Sequence, residues 1–274
     1  MVDPDPSPKT YISFERIAPV YDATRRMADE VCIEISREIC AEAGDKEGML
    51  VADMGAGTGR FSIPLAIRGC RVIGVDISRE MLHVLLSKIR PDWRSRVQPV
   101  LADAQNPPFK SSCFDVTLCF QVMHLIQGWH SLISEAQRIL VDCGLLAVGE
   151  SIRKGISADI NNEYKEIRAR HGYSYTRVGA ENIEEVLDYL RSKEYDAPEE
   201  PEKHTWVGRM TISSIIRGLA DKVYSGTWSV PDEAHREIIQ ELRDWASKTF
   251  NSLEISREIA SEFKIAFARF PRSN

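Results

Sequence analysis

Apolar residues recur at helical spacing through Met27, Val31, Ile35 and Ile39 and stop near Gly44, which predicts a long amphipathic helix early in the chain. Short, nearly all-apolar runs then alternate with amphipathic ones. Strands are predicted over 49–53, 71–76, 96–103, 114–121 and 144–151, and helices over 59–68, 78–90 and 130–140. Ser78 reads as an N-cap and Pro91 as a stop. Five runs apolar on both faces and separated by helices imply a parallel sheet covered on both sides, a doubly wound α/β fold.

Beyond Ser151 the pattern loosens into more polar helices over 157–171 and 179–193, followed by the charged loop "YDAPEEPEK". Two further strands are predicted, "KHTWVGRM" and "EFKIAFARF", with helical spacing between them on both sides of the turn "SGTWSVPDE". That arrangement reads as a helical insertion in the last hairpin of the sheet. The acidic, proline-rich residues 1–10 read as a disordered tail and 11–274 as a single domain, capped by helices from 11–45, 155–175 and 211–250.

A chain of 274 residues, 43% hydrophobic and 28% charged, can bury a large core. Its net charge of -6 gives no cationic field to gather phosphates, which argues against a nucleic-acid partner. No apolar run is long enough to cross a bilayer and no basic-then-apolar leader opens the chain, so no membrane partner is expected and a cytoplasmic location follows by default. The six cysteines are scattered singly, without a CxxC pair or a cysteine–histidine cluster, and read as reduced core thiols rather than metal ligands.

The stretch "MLVADMGAGTGRF" asks what needs so bare a backbone directly after a strand. Gly55, Gly57 and Gly59 sit where ligands bind in open parallel sheets, and missing side chains let main-chain N–H groups approach a ligand closely. The spacing is GxGxG, not the GxGxxG of dinucleotide folds, and no Gly-Lys-Ser/Thr ending marks a P-loop. Asp53, two positions before the loop, would repel a pyrophosphate and attract an ammonium group. Asp76 ends the second predicted strand, where an acid reaches a ribose diol, and its carboxylate can accept from both hydroxyls. Asp103 closes the third, placed to accept from an adenine amino group while the N–H of Ala104 meets a ring nitrogen. Together these residues describe a site for a ligand with an amino acid, a ribose and an adenine.

With those residues in view, the chain resembles the class I S-adenosylmethionine-dependent methyltransferases, in particular the small-molecule enzymes with a type 11-like domain. "VADMGAGTG", "VIGVDIS", "VLADA" and "FDVTLCFQVMHLI" look like the family's successive motifs, and "FERIAPVYD" like its N-terminal segment. The resemblance covers about 11–151 well and the rest in outline. "VDCGLL" departs from the proline and paired glycines that relatives often carry before the fifth strand.

The resemblance implies a seven-stranded Rossmann-like sheet whose last strand, "EFKIAFARF", runs antiparallel. It implies that Asp53, Gly55, Gly57, Thr58 and Gly59 flank the methionine moiety, Asp76 and Ile77 the ribose, and Asp103 and Ala104 the adenine. Phe120 and Gln121 would line the sulfonium region, and Tyr21 would close over the cofactor or staple the first helix. Met81 would touch the adenine face or pack in the core. The cofactor would be S-adenosylmethionine and the reaction direct displacement onto a small-molecule acceptor.

Displacement from a sulfonium needs alignment above all, and a base only where the nucleophile must lose a proton. His124, whose imidazole titrates near neutrality, and Glu150 are the base candidates. Tyr11, Trp129, Trp206 and Trp228 are candidate walls of an acceptor pocket, or else core aromatics. Two other readings stay open: a nicotinamide-dependent oxidoreductase on a similar sheet, and a non-catalytic S-adenosylmethionine-binding protein. The sequence does not name the acceptor, the accepting atom or the oligomeric state.

Overall fold

The computed structural model describes residue 12 and residues 14–271; Tyr11 and the predicted tail over 1–10 lie outside the described residues. A 3-10 turn over Glu15–Val20 runs into a short helix, α1, Tyr21–Thr24. Helix α2, Asp29–Glu42, buries Val31, Cys32, Ile35 and Ile39, the stripe that the spacing predicts.

The sheet comprises β1 Leu50–Met54, β2 Arg71–Asp76, β3 Val97–Leu101, β4 Phe114–Phe120, β5 Leu140–Arg153, β6 Glu202–Met210 and β7 Arg257–Arg269. Its order is β3-β2-β1-β4-β5-β7-β6. The first five strands are parallel, and β7 lies antiparallel between β5 and β6. The doubly wound α/β reading and the antiparallel last strand therefore both hold.

The remaining helices are α3 Ser62–Ile67, α4 Arg79–Lys88, α5 Trp129–Ile139, α6 Gly155–Arg170, α7 Ile183–Ser192, α8 Ile212–Ala220 and α9 Asp232–Thr249. One apolar cluster packs α2, α3 and α4 on the sheet around Ile35, Leu65, Leu85 and Phe263. A second packs α5 and α7 on the opposite face around Leu132, Ile133 and Leu187. Two covered faces explain why the central strands carry so few polar residues. A third cluster, with Ile160, Tyr164, Ile216 and Ile238, joins α6, α8 and α9 into a separate helical layer. Helices α8 and α9 leave and re-enter the sheet between the antiparallel neighbours β6 and β7, as the insertion reading requires.

Several boundaries move for local reasons. Helix α3 starts at Ser62 rather than 59 because Gly59 stands at φ +81°, outside helical geometry. Helix α7 starts at Ile183 rather than 179, since the Asn182 side chain caps it by accepting from Glu185 N at 2.9 Å. Strand β5 opens at Leu140, before Gly144, with an irregular register against β4 between Phe114 and Val116. Cys143, in that stretch at φ +61°, is exposed, and Cys113 is half-buried; only the other four cysteines are buried as core thiols.

Among the described residues no helix is long and apolar enough to cross a membrane, and no histidine, cysteine and carboxylate cluster is arranged to hold a metal ion.

Candidate functional site

The carboxyl ends of β1, β2, β3 and β4 open on one cavity of about 1360 Å³, which continues under residues of α6 and of the segment before α9. The glycine loop sits at its centre. Gly57 stands at φ +54°, and a Cβ built on it would meet nothing nearer than the Gly55 carbonyl at 4.0 Å, so this bare backbone opens onto free space. Gly57 N–H donates to the Asp76 carboxylate at 2.8 Å and Ser78 N–H to its other oxygen at 2.8 Å. Two of the four lone-pair sites of Asp76 are thus taken by backbone, which fixes the carboxylate and leaves acceptor capacity toward the cavity.

Asp53 is fully enclosed, and Ser62 Oγ donates to it at 2.5 Å. Burial pushes its carboxyl up to about 6. Burial also raises Asp76, against the lowering pull of its backbone donors. Asp103 accepts from Gln105 N–H at 2.8 Å, which orients its carboxylate at the tip of β3.

The cavity lining includes Tyr21, Asp53, Gly55, Gly57, Thr58, Asp76, Ile77, Met81, Asp103, Ala104, Phe120 and Gln121, so the structure brings these predicted residues together. The Phe120 ring itself packs in the core, edge to face with Phe61 at 4.7 Å and Phe263 at 5.3 Å. Gln121 stands at φ +57° with its side-chain Nε2 buried and without a partner in the described structure. An amide donor left unpaired at a strand tip is costly unless a ligand accepts from it.

Gly59 is the exception within the loop. It does not line the cavity; a Cβ there would lie 2.1 Å from Leu85 Cδ1, so this glycine serves the packing of the loop on α4. Trp129 is also corrected: its ring is buried in the core, stacked on His130 at 3.8 Å and edge-on to Tyr189 at 5.2 Å, away from the cavity. Trp228 lies off the lining as well, held by Nε1 donation to Lys222 O at 2.7 Å and by Phe14 at 5.2 Å, while Tyr224 to Thr227 beside it do line the cavity. Tyr11 is outside the described residues.

His124 and Glu150 both line the cavity. His124 differs from expectation in its acidity: burial, with Arg177 and Arg25 nearby, pushes the imidazole down to about 3, so it is neutral near pH 7 rather than titrating there. Glu150 is engaged on both oxygens, accepting from Ile183 N–H at 3.0 Å at the start of α7 and facing Arg177 at 3.5 Å. It ties the start of α7 to β5.

Sequence reading passed over Asp22, Arg60 and Arg168. Asp22 of α1 accepts from Thr58 Oγ1 at 2.6 Å and Lys88 Nζ at 2.9 Å, and Arg60 donates to Arg25 O, so the N-terminal segment is tied down on the glycine loop. Arg168 is buried on α6 in the same four-residue spacing as Ile160 and Tyr164. A charge in register with an apolar stripe was the signal that could have found it.

Comparison with known proteins places this geometry. Residues 52–148 match the family model described as a methyltransferase domain. A demethylmenaquinone methyltransferase of Clavibacter sepedonicus is 30% identical over 143 residues, covering 50% of this chain and 56% of the relative. The chain thus spans about half the length of the curated relatives it matches. Among solved structures, a protein assigned as a methyltransferase from Bacillus halodurans C-125 aligns with TM-score 0.58 at 20% identity over 87% of this chain and all of its own (100%). The Haemonchus contortus phosphoethanolamine N-methyltransferase 2, solved with phosphomonomethylethanolamine and S-adenosylhomocysteine, aligns with TM-score 0.50 at 17% identity over 95% of this chain and 61% of its own. At such identities the structural likeness speaks to the fold. The stretch that carries the glycine loop and the acid-tipped strands thus falls within the residues, 52–148, that match a methyltransferase domain.

Proposed function

We propose that the chain moves a methyl group from S-adenosylmethionine to a small-molecule acceptor held beneath the α6, α8 and α9 layer. The observation that carries this reading is the continuity of one cavity from the acid-tipped strands to that layer. At about 1360 Å³ it exceeds the roughly 300–1,000 Å³ of ordinary single-ligand pockets, enough for a cofactor and a second molecule together.

The residues present fit the cofactor. The open backbone at Gly57, the spare acceptor sites of Asp76 and the unpartnered Gln121 amide are each what an adenosyl amino acid would engage. Asp53 and the glycine loop would hold its amino-acid end, Asp76 and Ile77 its ribose, Asp103, Ala104 and Met81 its adenine, and Tyr21 would close over it. When bound, the cofactor supplies a methyl group already activated on a sulfonium. What remains for the chain is orientation and exclusion of water, and pre-alignment of this kind supplies several kcal/mol, up to roughly 7–11 in model systems. The neutral imidazole of His124 offers a hydrogen bond to the acceptor rather than strong base catalysis.

This reading treats 11–274 as one functional unit, with the α6, α8 and α9 layer and the N-terminal segment as its cap. The acidic net charge of -6 supports a small acceptor over nucleic acid, and thiols without disulfides suit a reducing cytoplasm. The test is calorimetric titration with S-adenosylhomocysteine and with NAD, followed by a metabolite screen with methyl-labelled cofactor. S-adenosylhomocysteine should bind, NAD should not, and label should pass to a small molecule. Binding of NAD alone would return the oxidoreductase reading, and cofactor binding without any transfer would return the non-catalytic one.

A further inference from the structure

We propose that the acceptor carries an oxyanion, a carboxylate or a phosphate, seated among Arg25, Arg153 and Arg168 against the turn at Val223–Gly226. This deepens the methyl-transfer reading and rests on it.

The three arginines come from separate parts of the chain and meet at one short segment. Arg25, just past α1, donates from Nη2 to Val223 O at 2.7 Å. Arg153, at the end of β5, places its guanidinium carbon 4.4 Å from the Tyr224 ring centroid, and Arg25 approaches the same ring at 5.3 Å. Arg168, in α6, donates from Nη1 to Gly226 O at 2.5 Å and lies over the Tyr175 ring at 5.3 Å. All three line the cavity.

No carboxylate balances them among the described residues. The acids on neighbouring elements are engaged elsewhere: Glu150 with Arg177, Glu262 with Lys154, and Glu163 with Arg170. Arg168 is only 4% exposed, and its Nε is buried without a partner. Burial pushes Arg168 down from its ordinary value, and pushes Arg25 down as well, with Arg153 and Arg60 adding like-charge repulsion. A buried cation with an unmet donor is expensive, and ring faces offer it attraction but no lone pair. An oxyanion does both, taking paired N–H bonds in the fork geometry of a guanidinium. In a chain of net charge -6, three guanidinium groups converging on one turn of the cavity are a selective feature.

The cavity then offers carboxylates to the cofactor's amino group, ribose and adenine, and guanidinium groups to the acceptor. Arg153 and Arg168 stand on β5 and α6, not on the tips of β1 to β3, so they are separate from the residues read as holding the cofactor.

The experiment titrates the full chain, preloaded with S-adenosylhomocysteine, with inorganic phosphate, benzoate and benzyl alcohol, the last being the neutral counterpart of benzoate. At least one anion should bind tenfold or more tighter than benzyl alcohol, and its affinity should fall at least tenfold in Arg168→Gln and in Arg153→Gln. Which anion binds assigns the phosphate or the carboxylate. Should the buried Arg168→Gln chain not fold, Arg153→Gln, at an exposed position, decides alone. Failure of both anions to bind, equal binding of benzyl alcohol, or anion binding indifferent to the foldable variants would overturn the proposal. Affinity for S-adenosylhomocysteine should stay within twofold in these variants. If the unaltered chain does not bind it, the methyl-transfer reading falls, while anion titration of the unloaded chain still decides the oxyanion site.

Discussion

The backbone N–H of Gly57 donates to the carboxylate of Asp76 at 2.8 Å, linking the loop after β1 to the tip of β2. One carboxylate therefore shapes the glycine loop and, in the proposed function, receives the ribose. Asp76→Asn leaves one of its two backbone donors without an acceptor, and hydrogen bonds to charged groups are worth about 1.5–3 kcal/mol. We expect a stability loss of that size in urea unfolding and at least a tenfold weaker S-adenosylhomocysteine affinity by calorimetry. An unchanged affinity would remove Asp76 from the cofactor site.

Much of this was legible in the sequence because burial on both faces imposes a run of apolar residues that stands out against amphipathic helices. The strand tips followed directly, and Asp53, Asp76 and Asp103 all reach the cavity. The aromatic walls were legible only at Trp206, which lines the cavity. Trp129 and Trp228 are equally suited to core and pocket, and only the tertiary arrangement decides that Trp129 stacks on His130 while Trp228 staples Phe14. The acidity of His124 was hidden for a related reason, since it depends on what is folded around the ring and on arginines far away in sequence. The convergence of Arg25, Arg153 and Arg168 on Val223–Gly226 was not legible either, because it is set by the insertion between β6 and β7.

Gly57 and Gly59, two residues apart, should fail differently when substituted. Gly59→Ala drives a Cβ to 2.1 Å from Leu85 Cδ1, in a fully buried leucine with no room to swing, at φ +81°. Overpacking of about 1–3 kcal/mol and left-handed strain of about 1–2 kcal/mol predict a large fall in melting temperature. Gly57→Ala meets no close atom, so it carries the strain alone, but its methyl enters the open cradle. We expect a mild effect on melting and at least a tenfold loss of S-adenosylhomocysteine affinity. The reverse pattern would contradict the division between packing and binding.

Asp53 should make stability fall as pH rises. Its carboxyl stands at about 6 in the folded chain against an ordinary 3.8, so between those values the folded state holds a proton that the unfolded state has released. Stability from this group is therefore present below pH 4 and is lost by about pH 6, an effect of up to about 3 kcal/mol. Relative to the unaltered chain, Asp53→Asn should gain stability between pH 4 and pH 8 by that amount in urea unfolding. Bound S-adenosylhomocysteine, whose ammonium favours the ionised carboxylate, should release a proton on binding near pH 6, seen as buffer-dependent heats. Buffer-independent heats there would separate Asp53 from the ammonium.

His124 should contribute in the opposite sense. Its imidazole, pushed down to about 3 by burial and the nearby Arg177 and Arg25, stays neutral while the unfolded histidine takes up a proton below 6.5. The chain therefore loses stability as pH falls through 6.5, and at pH 5 the loss is at most about 2 kcal/mol because the ring borders the cavity. His124→Gln should be more stable, relative to the unaltered chain, at pH 5 than at pH 8 by up to that amount. The ring resonances of His124 should not shift between pH 5 and pH 8 in NMR titration. So weak a base does little to deprotonate an acceptor. With an acceptor found by the labelled screen, His124→Gln should therefore slow turnover less than tenfold, against the roughly 10²–10⁴ expected on losing a general base. A larger loss, with a break in the pH profile near 6.5, would reinstate His124 as the base and require that bound ligands raise its basicity.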